Sequence, residues 1–292
     1  MPLIEHFAMA FGVGVPFIGL IVAIVFSWGV GVGARDIALL LGFYAFTILG
    51  VTIGFHRMFT HRALKGTPGL RFILAVAGSM SAQGPVIEWC AVHREHHKHS
   101  DREGDPHSPH AHGEGVGGMF RGMMHAHFGW LFKNEPAAHA KVVADLLADP
   151  VLVFVDRFFW LWMLAGWVIP GIIGGLIAHS SWGAFTGFLW GGLVRTFLLH
   201  HVTWSINSVC HVWGTRPFGG PDESRNNWIF GLLAFGEGWH NNHHAFPTSA
   251  RHGLRWWEFD LTYLTIRLLK VARLVSDVRL APESAIAIKM KS

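Results

Sequence analysis

The sequence predicts an all-α membrane protein. Four transmembrane helices, paired as two hairpins, carry a cytoplasmic helical cap that holds a histidine-rich metal centre. Three observations point there. The 292 residues are 51% hydrophobic and only 14% charged, with 14 Trp and 23 Phe, too apolar for an ordinary soluble domain. Four runs of roughly 20 residues or more are apolar enough to cross a hydrocarbon core of about 30 Å. The 21 histidines gather in short boxes beside those runs. No internal repeat of 20–50 residues is present, and residues 1–292 read as a single domain.

The first span is expected near 7–32. No Lys or Arg precedes it in MPLIEHFAMAFGVG, so it is expected to remain as a span rather than be cleaved as a signal. A glycine-rich turn (GVGVGARD) leads into the second span at 36–56. The second pair, 155–178 and 182–206, turns around AHSS. The cap is then 57–150 and 207–292. Each cap segment carries ten of the 23 Lys and Arg, and only Arg35 lies in an outer turn, with Arg157 and Arg195 inside the second pair. The positive-inside rule places the cap and both termini in the cytoplasm.

Three further apolar stretches do not read as spans. Residues 70–87 are short and interrupted by Ser, Gln and Gly, which suits an interfacial or buried helix. Residues 228–236 are too short to cross. Residues 254–275 read as an amphipathic helix at the membrane interface, a packed helix being the alternative. Cys90 and Cys210 form no disulfide framework and are expected to be buried thiols in a reducing compartment.

Four clusters carry the chemistry: HRMFTH (His56, His61), HREHH (His93, His96, His97), NSVCH (Asn207, His211) and HNNHH (His240, His243, His244). Two H-x-x-H-H boxes are hard to assign to chance. On a helix, positions i, i+3 and i+4 share a face, with the middle residue offset by about 60°, which suits a box serving two neighbouring metals. The i, i+5 spacing of His56 and His61 does not fit one face of an unbroken α-helix, so a helix end is expected there. In the four-span arrangement all four clusters emerge on one side. Nine imidazoles exceed one metal's capacity, and structural zinc would more often use thiolates. Iron handling dioxygen and a greasy substrate is the suggested chemistry, with copper and zinc left open by spacing alone.

Ligating imidazoles need their second nitrogen anchored. Asp101, Asp105, His107 and Glu237 are candidates for that role, and Glu95 and Asp222 also lie near the boxes. His127 in HFGW is a candidate for lining the site. His110, His112, His125, His139 and His252 read as surface or structural. His200 and His201 are ionisable groups within a span, for which a functional and a packing role are equally open. Asn241 and Asn242 read as spacers of their box.

At these residues the chain resembles the membrane fatty-acid desaturases of the acyl-CoA and acyl-lipid delta-9 type, in detail most like bacterial and cyanobacterial members. The resemblance runs through GFHRMFTHRAL, HREHHKHSDREGDPHSP, HFGWLF, TWSINSVCHVWGTRPF and DESRNNWIFGLLAFGEGWHNNHHAFPTSARHGLRWWEFD. It implies a di-iron centre held by the nine histidines, with Asn207 holding a metal-bound water. The implied activity is dioxygen-dependent insertion of a cis double bond into a saturated acyl chain. Two electrons would come from a ferredoxin or cytochrome-b-type carrier with its reductase. Gln83, Trp89 and Trp204 are candidates for lining the acyl tunnel. Ala91 and Val92 stand where animal acyl-CoA enzymes have an Arg-Asp pair that contacts CoA, so acyl-lipid competes with acyl-CoA as the substrate. The excess of cations in the cap suits an acidic electron carrier or anionic lipid headgroups, and nucleic acid is not expected. A multi-pass bacterial inner-membrane protein is implied. A related di-iron hydroxylase, ketolase or acetylenase shares the histidine skeleton. A histidine-rich metal transporter would instead need ligands near the bilayer midplane.

Overall fold

A computed structural model of the chain describes residues 3–29, 31–133 and 141–290; His139 lies outside the described residues. Helix α1 (Leu3–Ser27) is followed by Gly29 and Gly31, both at φ near +80°, a conformation that suits glycine and ends the helix. The chain turns into α2 (Ala34–Leu49), which continues without a break as a π-helix over Gly50–Thr60. The span expected to finish at residue 56 is therefore extended rather than ended there. The π form advances by an i to i+5 bond, and the His61 N–H donates to the His56 carbonyl at 3.1 Å. His56 and His61 thus lie one π turn apart, and the helix end expected at this pair falls at Thr60, with His61 as its C-cap.

Helix α3 (Pro68–Ser79) starts with Thr67 accepting from the Leu70 N–H and Pro68 in the first turn. It packs directly on the π segment. A Cβ on Gly50 would come within 2.3 Å of the Gly78 nitrogen, and one on Gly78 within 2.3 Å of the Phe55 ring. Only two glycines let these backbones approach so closely. The 70–87 stretch is not one helix: α3 ends, the chain turns, and α4 (Val86–His99) begins. Helix α5 (Gly115–His127) and a 3-10 turn (Gly129–Phe132) close the first cap segment.

After α6 (Ala144–Leu147), the helix expected over 155–178 divides into α7 (Pro150–Arg157) and α8 (Phe159–Ala178). Arg157 therefore precedes the apolar helix rather than lying in it. His179, in the left-handed region, turns α8 into α9 (Ser181–Gly187), which runs through π-helical Phe188–Val194 into α10 (Arg195–Asn207). Among the described residues, three helices are long and apolar enough to cross a membrane: Met9–Ser27, Ala34–Thr60 and Phe159–Ala178. The Ser181–Asn207 run is helical throughout but carries Arg195, His200 and His201. Fully buried Arg195 donates to the carbonyls of Met80, Gly166 and Gly191, tying three parts of the bundle together.

The remaining elements are short. They are α11 (Trp228–Leu233), α12 (His240–Ala245), α13 (Leu261–Val271) and α14 (Glu283–Lys289). Residues 254–260 are not helical, contrary to the 254–275 expectation. Buried Glu258 draws the backbone N–H groups of Leu254 and Arg255 into a turn, and α13 starts only where Asp260 caps Tyr263. Strand β1 (Lys65–Gly66) pairs antiparallel with β2 (Val275–Ser276), joining the chain just beyond the π-helix to the chain after α13.

Candidate metal centre

The nine box histidines converge into two groups. His56, His61, His93, His97 and His243 form one, and His96, His211, His240 and His244 the other; within each, one ring nitrogen per residue lies within 4.8 Å of the rest. Each H-x-x-H-H box is split. The i and i+4 residues His93 and His97 join the first group and His96 the second. In the other box the allotment is reversed, with His240 and His244 in the second group and His243 in the first. The offset of the middle residue on a helical turn produces this crossing directly. The π segment supplies His56 and His61, whose rings are 4.8 Å apart, and His211 comes from the turn after α10.

Within the groups, imidazole nitrogens face one another. The Nε2 atoms of His56 and His243 are 3.1 Å apart, those of His93 and His97 3.1 Å, of His97 and His243 2.9 Å, and of His211 and His240 3.0 Å. Two nitrogens bound at about 2.1 Å and at right angles on one metal would be about 3.0 Å apart. His61 Nε2, His96 Nε2 and His244 Nε2 are buried with no hydrogen-bond partner. Buried polar atoms are rarely left so, and these donor sets fit a pair of metal ions.

Four of the outward nitrogens face carboxylates, while Nδ1 of His240 and of His243 is buried without a hydrogen-bond partner. His56 Nδ1 donates to Glu237, His96 Nδ1 to Asp105 at 3.0 Å and His211 Nδ1 to Asp101 at 2.7 Å, while His244 Nδ1 is 3.6 Å from Asp222. Holding the proton on Nδ1 leaves the Nε2 lone pair aimed at the centre. Burial acts to raise all four carboxyl pKa values. In Asp101, Asp105 and Asp222 the bonded histidines outweigh it, and in Glu237 the Arg57 charge does so first, so each stays below its ordinary range. Burial, then neighbouring imidazoles, holds His93, His97, His240 and His243 well below the usual histidine range. They are neutral and ready to ligate. His211 differs: the bond to Asp101 overcomes burial and raises its pKa.

Other expected residues take varied places. His107 is buried and stacked on His96 at 4.2 Å. His127 stands a layer away, hydrogen-bonded to Ser208 and His201. Glu95 pairs with Lys98 and His99 instead of the clusters. His110 Nε2 lies 2.9 Å from the His211 carbonyl oxygen, His125 Nε2 3.2 Å from that of Pro106, and the His112 and His125 rings pair at 4.4 Å. His200 Nε2 lies against the Ser81 and Ala82 carbonyls. Cys90 and Cys210 are buried thiols, pushed up by burial, Cys90 to about 12.

A cavity runs from His56, His93, Glu237 and His240 past Trp89, Gln83, Thr203, Trp204 and Asn207 to Met9, Gly12 and Val13 of α1. Gln83 donates to Thr203 at 2.8 Å and accepts from the Trp89 indole at 3.3 Å. Thr52, Glu88 and His107 also line the cavity, yet most of its surface is apolar, the form expected of a site for a greasy chain.

Several participants were not foreseen. His252, read as surface or structural, is buried beside the first group, 4.4 Å from the His243 ring and 3.4 Å from Glu237. Arg57 is fully buried and bridges Glu237 to Asp260. Asn241 and Asn242 are more than spacers. Asn241 brackets the Phe218 backbone, and Asn242 binds Asn226, Glu258 and the His252 carbonyl, fixing α12 in place. No sequence spacing marks these contacts.

Residues 26–268 match the family described as fatty acid desaturase. The chain is 45% identical over 278 residues to a hex-5-enoyl-(acyl-carrier protein) acetylenase of Moorena producens (strain JHB), covering 94% of this chain and 86% of that one. It is 39% identical over 259 residues to an sn-1 stearoyl-lipid 9-desaturase of Anabaena variabilis, covering 88% and 86%. To a palmitoyl-monogalactosyldiacylglycerol delta-7 desaturase of Arabidopsis thaliana it is 35% identical over 282 residues, covering 95% and 69%.

Proposed function

The chain belongs to the fatty acid desaturase family, oxidoreductases that desaturate fatty acyl chains, and from that premise we propose that it inserts a cis delta-9 double bond into a saturated acyl chain at a di-iron centre. The observation that carries this reading is the crossed division of the two histidine boxes between two donor groups beside an apolar cavity. One iron is assigned to His56, His61, His93, His97 and His243. The other is assigned to His96, His211, His240 and His244, and Asn207, which lines the same cavity as His240, would hold a water for it.

When bound, the irons would supply activation of dioxygen and the removal of hydrogen from two adjacent methylenes. The balanced reaction takes one dioxygen, two electrons from a ferredoxin or cytochrome-b-type carrier with its reductase, and two protons, releasing two waters. This chain's own residues position and shield. Glu237, Asp105, Asp101 and Asp222 fix the rings, and Trp89, Gln83, Thr203 and Trp204 shape the channel that holds the methylenes against the centre. The apolar walls keep bulk water from it.

The proposed setting is a multi-pass bacterial inner-membrane protein. Its four spans would be α1, the α2 run, α8 and the α9–α10 run, with both termini and the cap cytoplasmic. The crowding of 20 of the 23 Lys and Arg into the cap supports this sidedness, and the same charge suits an acidic electron carrier. The histidines gather at helix ends, as a capped enzyme requires and a midplane transporter site does not.

The acetylenase relative favours a second reading in which the chain taken up already carries a double bond. Expression in a host without this activity, followed by acyl-chain analysis, separates the two. New monounsaturated chains support the proposal. Oxygenated or acetylenic chains as the sole product would overturn it.

A further inference from the structure

Four of the proposed ligands have a carboxylate against Nδ1, but His243 has none there. Its Nε2 atom faces those of His56 and His97, so Nε2 is the metal side of the ring and Nδ1 carries the proton. That Nδ1 is buried and has no hydrogen-bond partner. A buried donor without an acceptor is costly, and a ligating imidazole without one is poorly oriented.

His252 is the ring beside it. The two ring centroids are 4.4 Å apart, with the planes 36° from parallel. His252 is equally buried, and both of its nitrogens lack a hydrogen-bond partner. Its Nδ1 lies 3.4 Å from Glu237 Oε2, the oxygen that also meets His56 Nδ1. An ionised carboxylate only accepts, so the nitrogen facing it is the one to carry the proton, and Nε2 is left an acceptor. The two tautomers are complementary. His243 has a donor without an acceptor, and His252, in contact with it, has an acceptor without a donor. The backbone holds His252 in this place. Its N–H donates to Asp260 at 2.7 Å, and its carbonyl accepts at 2.8 Å from Asn242, the residue just before His243. Arg57 ties Asp260 back to Glu237, so the same elements place all three side chains.

We propose that His252 is a positioning residue: when the His56 group is loaded, it accepts a hydrogen bond from His243 Nδ1 and donates one to Glu237. One carboxylate then orients two ligands of the same iron, His56 directly and His243 through His252. His252 ligates no metal itself, since the carboxylate takes one of its nitrogens and His243 the other. This rests on the two-iron reading above.

The test titrates the full-length protein in detergent with ferrous iron against a competing chelator, without oxygen, and reads the affinity of each site. In His252→Phe, which keeps a flat ring in the space, one iron should be held about 10- to 100-fold more weakly and the other as in the wild type. His252→Gln, which keeps a donor and an acceptor, should bring the weakened site back to within about threefold of the wild type. Mössbauer spectra should show one quadrupole doublet moved in His252→Phe and the other unmoved, a change that lost packing alone does not produce. Unchanged affinity of both irons in His252→Phe, equal weakening of both, or no recovery in His252→Gln overturns the role. Should His252→Phe not fold, proton NMR of the cobalt(II)-loaded wild type and His252→Gln decides. The variant should keep every hyperfine-shifted histidine ring, with one exchangeable N–H signal displaced. Loss of a whole ring makes His252 a ligand, and an identical spectrum makes it a packing residue; either overturns the proposal. A wild-type chain that binds fewer than two irons overturns the two-iron reading itself.

Discussion

His56 Nδ1 lies 2.5 Å from Glu237 Oε2, while Glu237 Oε1 accepts from Arg57 at 2.9 and 3.1 Å. Through Arg57 the link continues to Asp260, which caps α13 and accepts the His252 backbone N–H. One carboxylate therefore orients a proposed ligand and balances a fully buried guanidinium. Replacing Glu237 with Gln should weaken iron binding by about 10- to 100-fold. It should also cost about 3 kcal/mol of stability, because Arg57 keeps only Asp260 as a counter-charge. Iron titration and thermal unfolding check both; unchanged iron affinity would remove Glu237 from the site.

Asp105 serves the other group. Besides His96 Nδ1 it accepts the backbone N–H groups of Asp101 and His107, so it fixes the loop that follows α4. Asp105→Asn is expected to loosen iron held by the His96 group while leaving the His56 group loaded. Iron content should then fall by about half under mild chelation. Equal loss from both groups would contradict the division of the boxes.

His127 gives the pH dependence. Burial first, then the neighbouring His201, lowers its pKa to about 4. An unfolded histidine titrates near about 6.5. The folded pKa is therefore the depressed one. The contribution of the neutral ring to stability is complete above about pH 6.5 and is lost as pH falls through about 4. His127→Asn should flatten this part of the melting profile, so that its melting temperature falls less than the wild-type one between about pH 7 and about pH 4. Parallel profiles would exclude the ring as a contributor.

Arg195→Met tests the bundle without touching the centre. The change strands the carbonyls of Met80, Gly166 and Gly191, and the expected loss is at least about 3 kcal/mol. Arg195→Lys should recover only part of it, since an ammonium cannot reproduce a planar fork that reaches three acceptors. Detergent-solubilised thermal unfolding is the measurement.

The parts legible in the sequence are those governed by local geometry. The i, i+3, i+4 spacing of His93, His96 and His97 is fixed by any helical turn, and the long apolar runs declare themselves by length. The π-helix at His56 and His61 was hidden because a 3.6-residue period was assumed, although the i, i+5 spacing was the sign of it. His252 was hidden for a different reason. It is a lone histidine in a loop, and only the tertiary chain Glu237–Arg57–Asp260, with Asn242 holding its carbonyl, brings it beside His243. The start of α13 depended likewise on Glu258 and Asp260 folding inward.

The central claim is that the two crossed histidine groups hold two irons. Metal analysis of protein purified under mild extraction tests it most directly. About two irons per chain in the wild type, with about one after His96→Ala, is the predicted result. A wild-type protein that binds a single iron, or one that keeps both after His96→Ala, would contradict it.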